Sequence, residues 1–220
     1  MTSNLLIISA GSYAREVYSW ALDCIAAGAP WAVSGFLDDR PDALASFPCA
    51  VGIISPLEEY EPQPNDLFVC AIGDPGTRKR YVEKAKRKGF RFANLIHPSA
   101  VVGQNVRMGE GVILAPFVVL TADVEVGNFV NIGCMSGCSH HNKIGDWCQI
   151  SGNCGLTGRV VLEEGVFVGC GATFVPGCQV GAWAYVGAGS VVLRRVKTRT
   201  KVFGNPAVQI GTVDEAPESV

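Results

Sequence analysis

The chain has 220 residues and a formal net charge of −2 at neutral pH. That length holds one large or two modest domains, and so small a charge gives no electrostatic case for nucleic acid or an anionic membrane. The opening apolar run Leu5-Leu6-Ile7-Ile8 is far too short to cross a bilayer, lacks a basic flank and runs straight into Gly11, so the chain reads as soluble and cytoplasmic.

Apolar runs at Leu5 to Ile8, Ala32 to Leu37, Val51 to Ile54, Leu67 to Ile72 and Phe92 to Ile96 predict strands, and Tyr13 to Ala27 and Thr77 to Lys88 have helical spacing. Their alternation predicts a small parallel α/β sheet of Rossmann-like type over residues 1–95. The first strand-to-helix turn, Ser9-Ala10-Gly11-Ser12-Tyr13-Ala14, keeps one glycine of a dinucleotide fingerprint, so a nicotinamide oxidoreductase is disfavoured. A helix N-terminus there still offers free N–H groups to a phosphate. Asp38 and Asp39 end the second strand at the carboxyl edge of the sheet, where a ribose or base would lie, and Asp74 stands at the same edge. The plainer reading of the Asp38-Asp39 pair is turn capping. The basic segment around Arg78, Lys79 and Arg80 reads mostly as a solvated face, with Arg78, nearest the edge, as the one candidate for a ligand phosphate.

From Ile96 onward an apolar residue recurs every six positions, through Val102, Met108 and Leu114 to Val180 and Val186. Four places after each comes a small or aliphatic residue, interrupted only by Asn142, whose side chain is expected to satisfy local backbone groups. A hexad is too short to close a core, so three of them must form the walls of one eighteen-residue coil that stacks on its neighbours, giving a triangular prism of short strands. Glycines following the first column, such as Gly103 and Gly169, are expected at bends with positive φ. The nine cysteines are odd in number, lack a C-x-x-C pair and fall partly on the repeat columns (Cys138, Cys148, Cys154, Cys178), so they read as packing residues. The three histidines have no zinc-site spacing, and no metal is expected.

His140 and His141 occupy outward positions of one hexad, where an isolated pair would be an ordinary surface feature. The period changes that reading: Ala122 and Asp123 lie one coil below them, Gly158 and Arg159 one coil above. A glycine above His140 leaves a backbone N–H open to a ligand, as a general base beside an oxyanion site requires. Asp123 can orient an imidazole by accepting its N–H.

Several segments together carry a resemblance: Ala14-Arg15-Glu16-Val17, Gly35-Phe36-Leu37-Asp38-Asp39, Ala71-Ile72-Gly73-Asp74, Ile96-His97-Pro98-Ser99-Ala100 and a histidine before Ile144-Gly145-Asp146. With the hexads they make residues 4–210 similar to the bacterial hexapeptide-repeat sugar acetyltransferases. That group includes N-acetyltransferases of nucleotide-linked 4-amino sugars such as bacillosamine and perosamine, and the sialic-acid O-acetyltransferases.

The resemblance implies a left-handed parallel β-helix over residues 96–192, although ordinary crossovers favour the right hand. It also implies acetyl-CoA as co-substrate, a homotrimer, and acetylation of a sugar amine, with a sugar hydroxyl as the alternative. His140 matches the family's base. His141 stands where an acid usually follows, and Tyr13 where a histidine is common. The nucleotide would lie near Gly11, Ser12, Tyr13, Asp38, Asp39 and Asp74. The pantetheine arm would run between two prisms past Gly158, Cys170 and Ala188 to the segment Phe203-Gly204-Asn205-Pro206-Ala207 within residues 193–211. The basic run Arg194 to Lys201 would either meet coenzyme phosphates or serve solubility. Residues 212–220, polar and without a core pattern, are expected to form a loose tail.

Overall fold

The computed structural model describes residues 3–214. Strands β1 (Ser3–Ile8), β2 (Trp31–Leu37), β3 (Ile53–Ser55) and β4 (Asp66–Cys70) form a parallel sheet in the order β3-β2-β1-β4. Helix α1 (Ser12–Ala26) buries Ala14, Val17, Trp20, Ala21 and Cys24, one stripe at helical spacing. Helix α2 (Pro75–Arg87) starts where Asp74 accepts the Thr77 N–H at 2.8 Å, with proline in the first turn, where its missing donor costs nothing.

The strand expected at Phe92 to Ile96 divides. Phe92 makes only a single bridge to Phe68, while Leu95–Ile96 (β5) leaves the sheet and pairs with Ile113–Leu114. Asn94 causes the departure: its amide donates to Gly109 O and its oxygen accepts the Val112 N–H, both at 2.9 Å, which hooks the chain onto the first coil. The expected boundary at 95/96 thus falls inside one strand.

From β5 to β21 (Val191–Val192) two-residue strands pair in parallel with those eighteen residues on, in three sheets. The first wall carries Leu95, Ile113, Asn131, Gln149, Phe167 and Tyr185; the second Val101, Val119, Gly137, Gly155, Thr173 and Val191; the third Arg107, Glu125, Lys143, Val161 and Gln179. First-column residues fill the interior, from Leu114 to Val186, and Val102 at the open end remains 40% exposed. Cys138 and Cys148 pack there, and burial pushes their thiols up to about 12.

The glycines after the first column do not supply positive φ. The left-handed residue is instead the fourth of each hexad from Val102 to Val191, among them Asn105, Asp123, His141 and Arg159. Gly169 is required by proximity: a Cβ there would lie 2.5 Å from Ala188 N of the next coil.

After the last coil, β22 (Thr200–Phe203) joins the first wall in parallel with Tyr185–Val186, and β23 (Val208–Thr212) returns antiparallel. Two residues of the expected loose tail are therefore held in place. Thr212 pairs with Thr200 and the Val213 N–H donates to Arg199 O at 2.8 Å; residues 215–220 lie outside the described residues.

Arg78 is not a phosphate ligand. It is fully buried, and its guanidinium donates to Ile72 O and Gly73 O on the sheet edge and to Phe129 O, Trp147 O, Cys148 O and Gln149 Oε1 on the prism, at 2.6–3.3 Å. One side chain thereby fastens the α/β unit to the first wall. Helical spacing places Arg78 on α2, but nothing local distinguishes an inward arginine when its acceptors on the prism lie more than fifty residues away.

Candidate active site

The edge between the second and third walls carries the histidine turn. Left-handed corners recur there once per coil, at Asn105, Asp123, His141 and Arg159 with φ of 57–61°, and these side chains form an outward polar column. His140, the preceding residue, lies against Gly158: a Cβ on Gly158 would fall 2.6 Å from Cε1 and 2.7 Å from Nε2 of the imidazole. The expectation that this glycine merely exposes its N–H is therefore corrected, since the ring occupies the space a side chain would fill. No acceptor among the described residues meets the Gly158 N–H.

His140, His141 and Asp123 come together as the period implied. His140 Nδ1 lies 3.1 Å from His141 Nδ1, with the rings perpendicular. His141 Nε2 faces Asp123 Oδ2 at 3.8 Å, an ion-pair separation longer than a hydrogen bond. The other oxygen, Asp123 Oδ1, accepts from Asn105 Nδ2 at 3.0 Å. Asn105 was not foreseen as a site residue, although the same step of eighteen that linked Asp123 to His141 leads to it. Asn142 is wholly buried, donating to Leu156 O and accepting from Val160 N as expected of a structural amide.

The acceptor-side residues divide. A cavity of about 260 Å³ at the sheet edge is lined by Ser9, Leu37, Asp38, Asp39, Arg40, Ile72, Thr77 and Tyr81. Asp38 accepts from the Ala10 N–H at 2.7 Å and from the Arg40 backbone and guanidinium at 2.9 Å, so both its oxygens are engaged within the loop. Desolvation raises its pKa, but those hydrogen bonds outweigh it and hold the carboxyl below its ordinary range. Asp39 accepts from Tyr81 OH at 3.2 Å.

Arg40, 63% exposed and unforeseen, is the cation this cavity presents. Gly11 and Ser12 do not line the cavity: a Cβ on Gly11 would lie 4.0 Å from the Arg40 guanidinium, and the Ser12 hydroxyl accepts from Arg15. Tyr13 does not line the cavity; it packs edge-on to Trp20, and burial drives its phenol far above the ordinary value. Asp74 is committed to capping α2 and borders a different, aromatic cavity with Phe167, Trp183 and Tyr185.

Cys170 and Ala188 lie on the other edge of the second wall, stacked so that the Gly189 N–H donates to Cys170 O. The segment Gly204 to Ala207 adjoins them: the Val191 N–H donates to Gly204 O at 3.0 Å and the Ala207 N–H to Val191 O at 2.9 Å. Within one chain, therefore, these coenzyme candidates and His140 flank the second wall on opposite edges.

Residues 4–85 match the PglD N-terminal domain family, and residues 159–194 match the bacterial transferase hexapeptide (six repeats). The GDP-perosamine N-acetyltransferase of Escherichia coli O157:H7 is 30% identical over 145 residues, 64% of this chain and 66% of that protein. The bifunctional protein GlmU of Acinetobacter baylyi and the serine acetyltransferase of Escherichia coli K12 are matched over 28% and 41% of their lengths. The chain thus spans less than two thirds of these curated relatives. The crystal structure of PerB from Caulobacter crescentus, in complex with CoA and GDP-perosamine, superposes with a TM-score of 0.85 at 30% identity, covering 96% of this chain and 99% of that one. The chain belongs to the hexapeptide-repeat nucleotide-sugar acetyltransferase family. Its prism is the left-handed parallel β-helix of that family, a hand that strand physics alone would not have selected. The acetyltransferase domain of PglB from Neisseria gonorrhoeae shares the fold, with a TM-score of 0.85 at 24% identity.

Proposed function

We propose that this protein is a cytoplasmic homotrimeric N-acetyltransferase that moves the acetyl group of acetyl-CoA to the amine of a nucleotide-linked 4-amino-deoxy sugar. The observation that carries the reading is His140, an exposed imidazole set against a glycine on the edge of a hexapeptide prism. Attack on the thioester needs a neutral amine, removal of its proton, and stabilisation of the oxyanion. His140 Nε2 takes the proton and the Gly158 N–H faces the thioester oxygen. The nucleotide occupies the cavity at Asp38, Asp39 and Arg40, with the guanidinium meeting its phosphates. Nine unpaired thiols fit a reducing compartment. Thermal-shift screening with UDP-, GDP- and dTDP-linked amino sugars and acetyl-CoA tests the reading, because a ligand at 100 times its Kd stabilises by about 2.7 kcal/mol. Acetylation of only hydroxyl acceptors would move the assignment to O-transfer.

The trimer rests on the second wall. Its outward residues are small or apolar, Val101 (56% exposed) and Val119 beside Gly137 and Gly155, and Phe117 and Met135 project from its edge. A neighbour's coenzyme edge brought against this wall would meet His140 and complete the site. Sedimentation at micromolar concentration is expected to give a particle of about three 23.3 kDa chains. Val119→Glu should produce monomers and remove activity, since a buried unpaired charge costs several kcal/mol; an active monomer would contradict a shared site.

Asp38→Asn should raise the KM for the nucleotide sugar by about tenfold, equivalent to roughly 1.4 kcal/mol, and leave that for acetyl-CoA unchanged. The carboxyl pKa is lowered in the folded protein, so its contribution is present at neutral pH and disappears as pH falls through that lowered value. Equal damage to both KM values would instead place the coenzyme here.

A further inference from the structure

From the histidine corner we infer that the catalytic base is a pair of imidazoles with fixed tautomers, in which His141 receives the second proton of His140 and Asp123 determines the direction. This rests on the proposed acetyl transfer and deepens it. The Nδ1···Nδ1 contact of 3.1 Å allows only one ring to donate. If His141 donated, its Nε2 would be a bare lone pair facing the Asp123 carboxylate, and His140 would carry its proton on Nε2 and be useless as a base there. If His140 donates, His141 bears its proton on Nε2, directed at Asp123 Oδ2, and His140 Nε2 is left as the lone pair beside Gly158. The carboxylate therefore selects the productive arrangement. Asn105, bonded to Asp123 Oδ1, keeps Oδ2 turned toward His141 and is a positioning residue.

The surrounding charges do not reverse this order. Arg107 and Lys143 lie 2.8 and 3.7 Å from Glu125. Arg159, one coil above His141, opposes a proton on that ring, whereas Asp123 below favours it. As the amine nitrogen forms its bond to the thioester carbon, its N–H bond breaks and the proton joins His140 Nε2. The His140 Nδ1 proton passes to His141 Nδ1, leaving an imidazolium opposite Asp123. The C–S bond breaks, its electron pair leaves with the thiolate, and the sulfur takes one proton as the pair returns to neutrality. An acid in place of His141 would also fix the tautomer, but two linked imidazoles spread the positive charge over both rings.

With only three histidines in the chain, ¹⁵N-histidine spectra resolve the rings individually. The neutral protein is expected to show His140 protonated on Nδ1 and His141 on Nε2, an arrangement that Asp123→Asn should scramble between the two tautomers. Identical tautomers on the two rings, or tautomers unchanged in Asp123→Asn, would overturn the pair. In turnover, His141→Phe should lower kcat by about 10- to 100-fold, the scale of a lost orienting partner. His141→Glu should recover most of it and shift the acidic limb of the pH profile, which a merely structural role would not do. A fully active His141→Phe beside an inactive His140→Ala would sink the relay alone. If the wild-type protein acetylates no amino sugar, the proposed function fails, while the spectra still decide the tautomers.

Discussion

His140→Ala is expected to lower kcat by about 10²- to 10⁴-fold, the usual worth of a general base, while leaving both KM values within a few-fold. The side chain is exposed and its corner backbone is held by the Arg159 N–H to His140 O bond at 2.9 Å, so the variant should fold and assemble as the wild type does. Gly158→Ala provides an independent approach to the same atom. A methyl group 2.6 Å from Cε1 forces the ring away, and kcat should fall by a similar order although both histidines remain. The acidic limb of kcat/KM should vanish in His140→Ala. Persistence of that limb would assign it to the acceptor amine and reduce His140 to a positioning role.

How legible this corner was follows from the period. An eighteen-residue step is set by stacking, so Asp123, His141 and Gly158 could be superposed without a structure, and only the contents of the space above Gly158 were misread. The positive-φ positions are not legible from glycine alone, because glycine is not their marker. In fact Asn, Asp, His, Phe, Met, Trp and Arg occupy most of these corners, and the glycines after the first column, such as Gly145 and Gly169, stand where adjacent coils come too close for a Cβ. In the α/β unit the strands followed apolar runs, except where Asn94 diverted Leu95–Ile96 to the prism. Arg40 escaped notice because its role depends on a loop folding back onto Asp38, and Tyr13 was placed in the cavity because strand-to-helix turns usually face one.

Arg78 was read furthest from its true place, and its removal should have the largest effect on stability. A buried guanidinium loses its hydration, and burial lowers its pKa, so it persists only because six oxygen acceptors surround it. Arg78→Met removes the charge but strands the carbonyls of Ile72, Phe129 and Trp147 in a closed interface, each worth about 1–3 kcal/mol if left unpaired, whereas Cys148 O keeps the Asn131 N–H. With partial relaxation the net loss should be about 3–5 kcal/mol, the scale for breaking a buried charged network. At about 2–4 °C per kcal/mol for a chain of this size, that lowers Tm by roughly 6–20 °C. Arg78→Lys should recover little, because three donors on one nitrogen cannot span acceptors on both units. Since Arg78 also holds Ile72, which lines the Asp38–Arg40 cavity, the KM for the nucleotide sugar should rise in Arg78→Lys at temperatures well below its Tm. An unchanged Tm in Arg78→Met would show that the two units are held together without this contact. A lowered Tm with an unchanged acceptor KM would confine Arg78 to stability and remove its part in positioning the cavity against the prism.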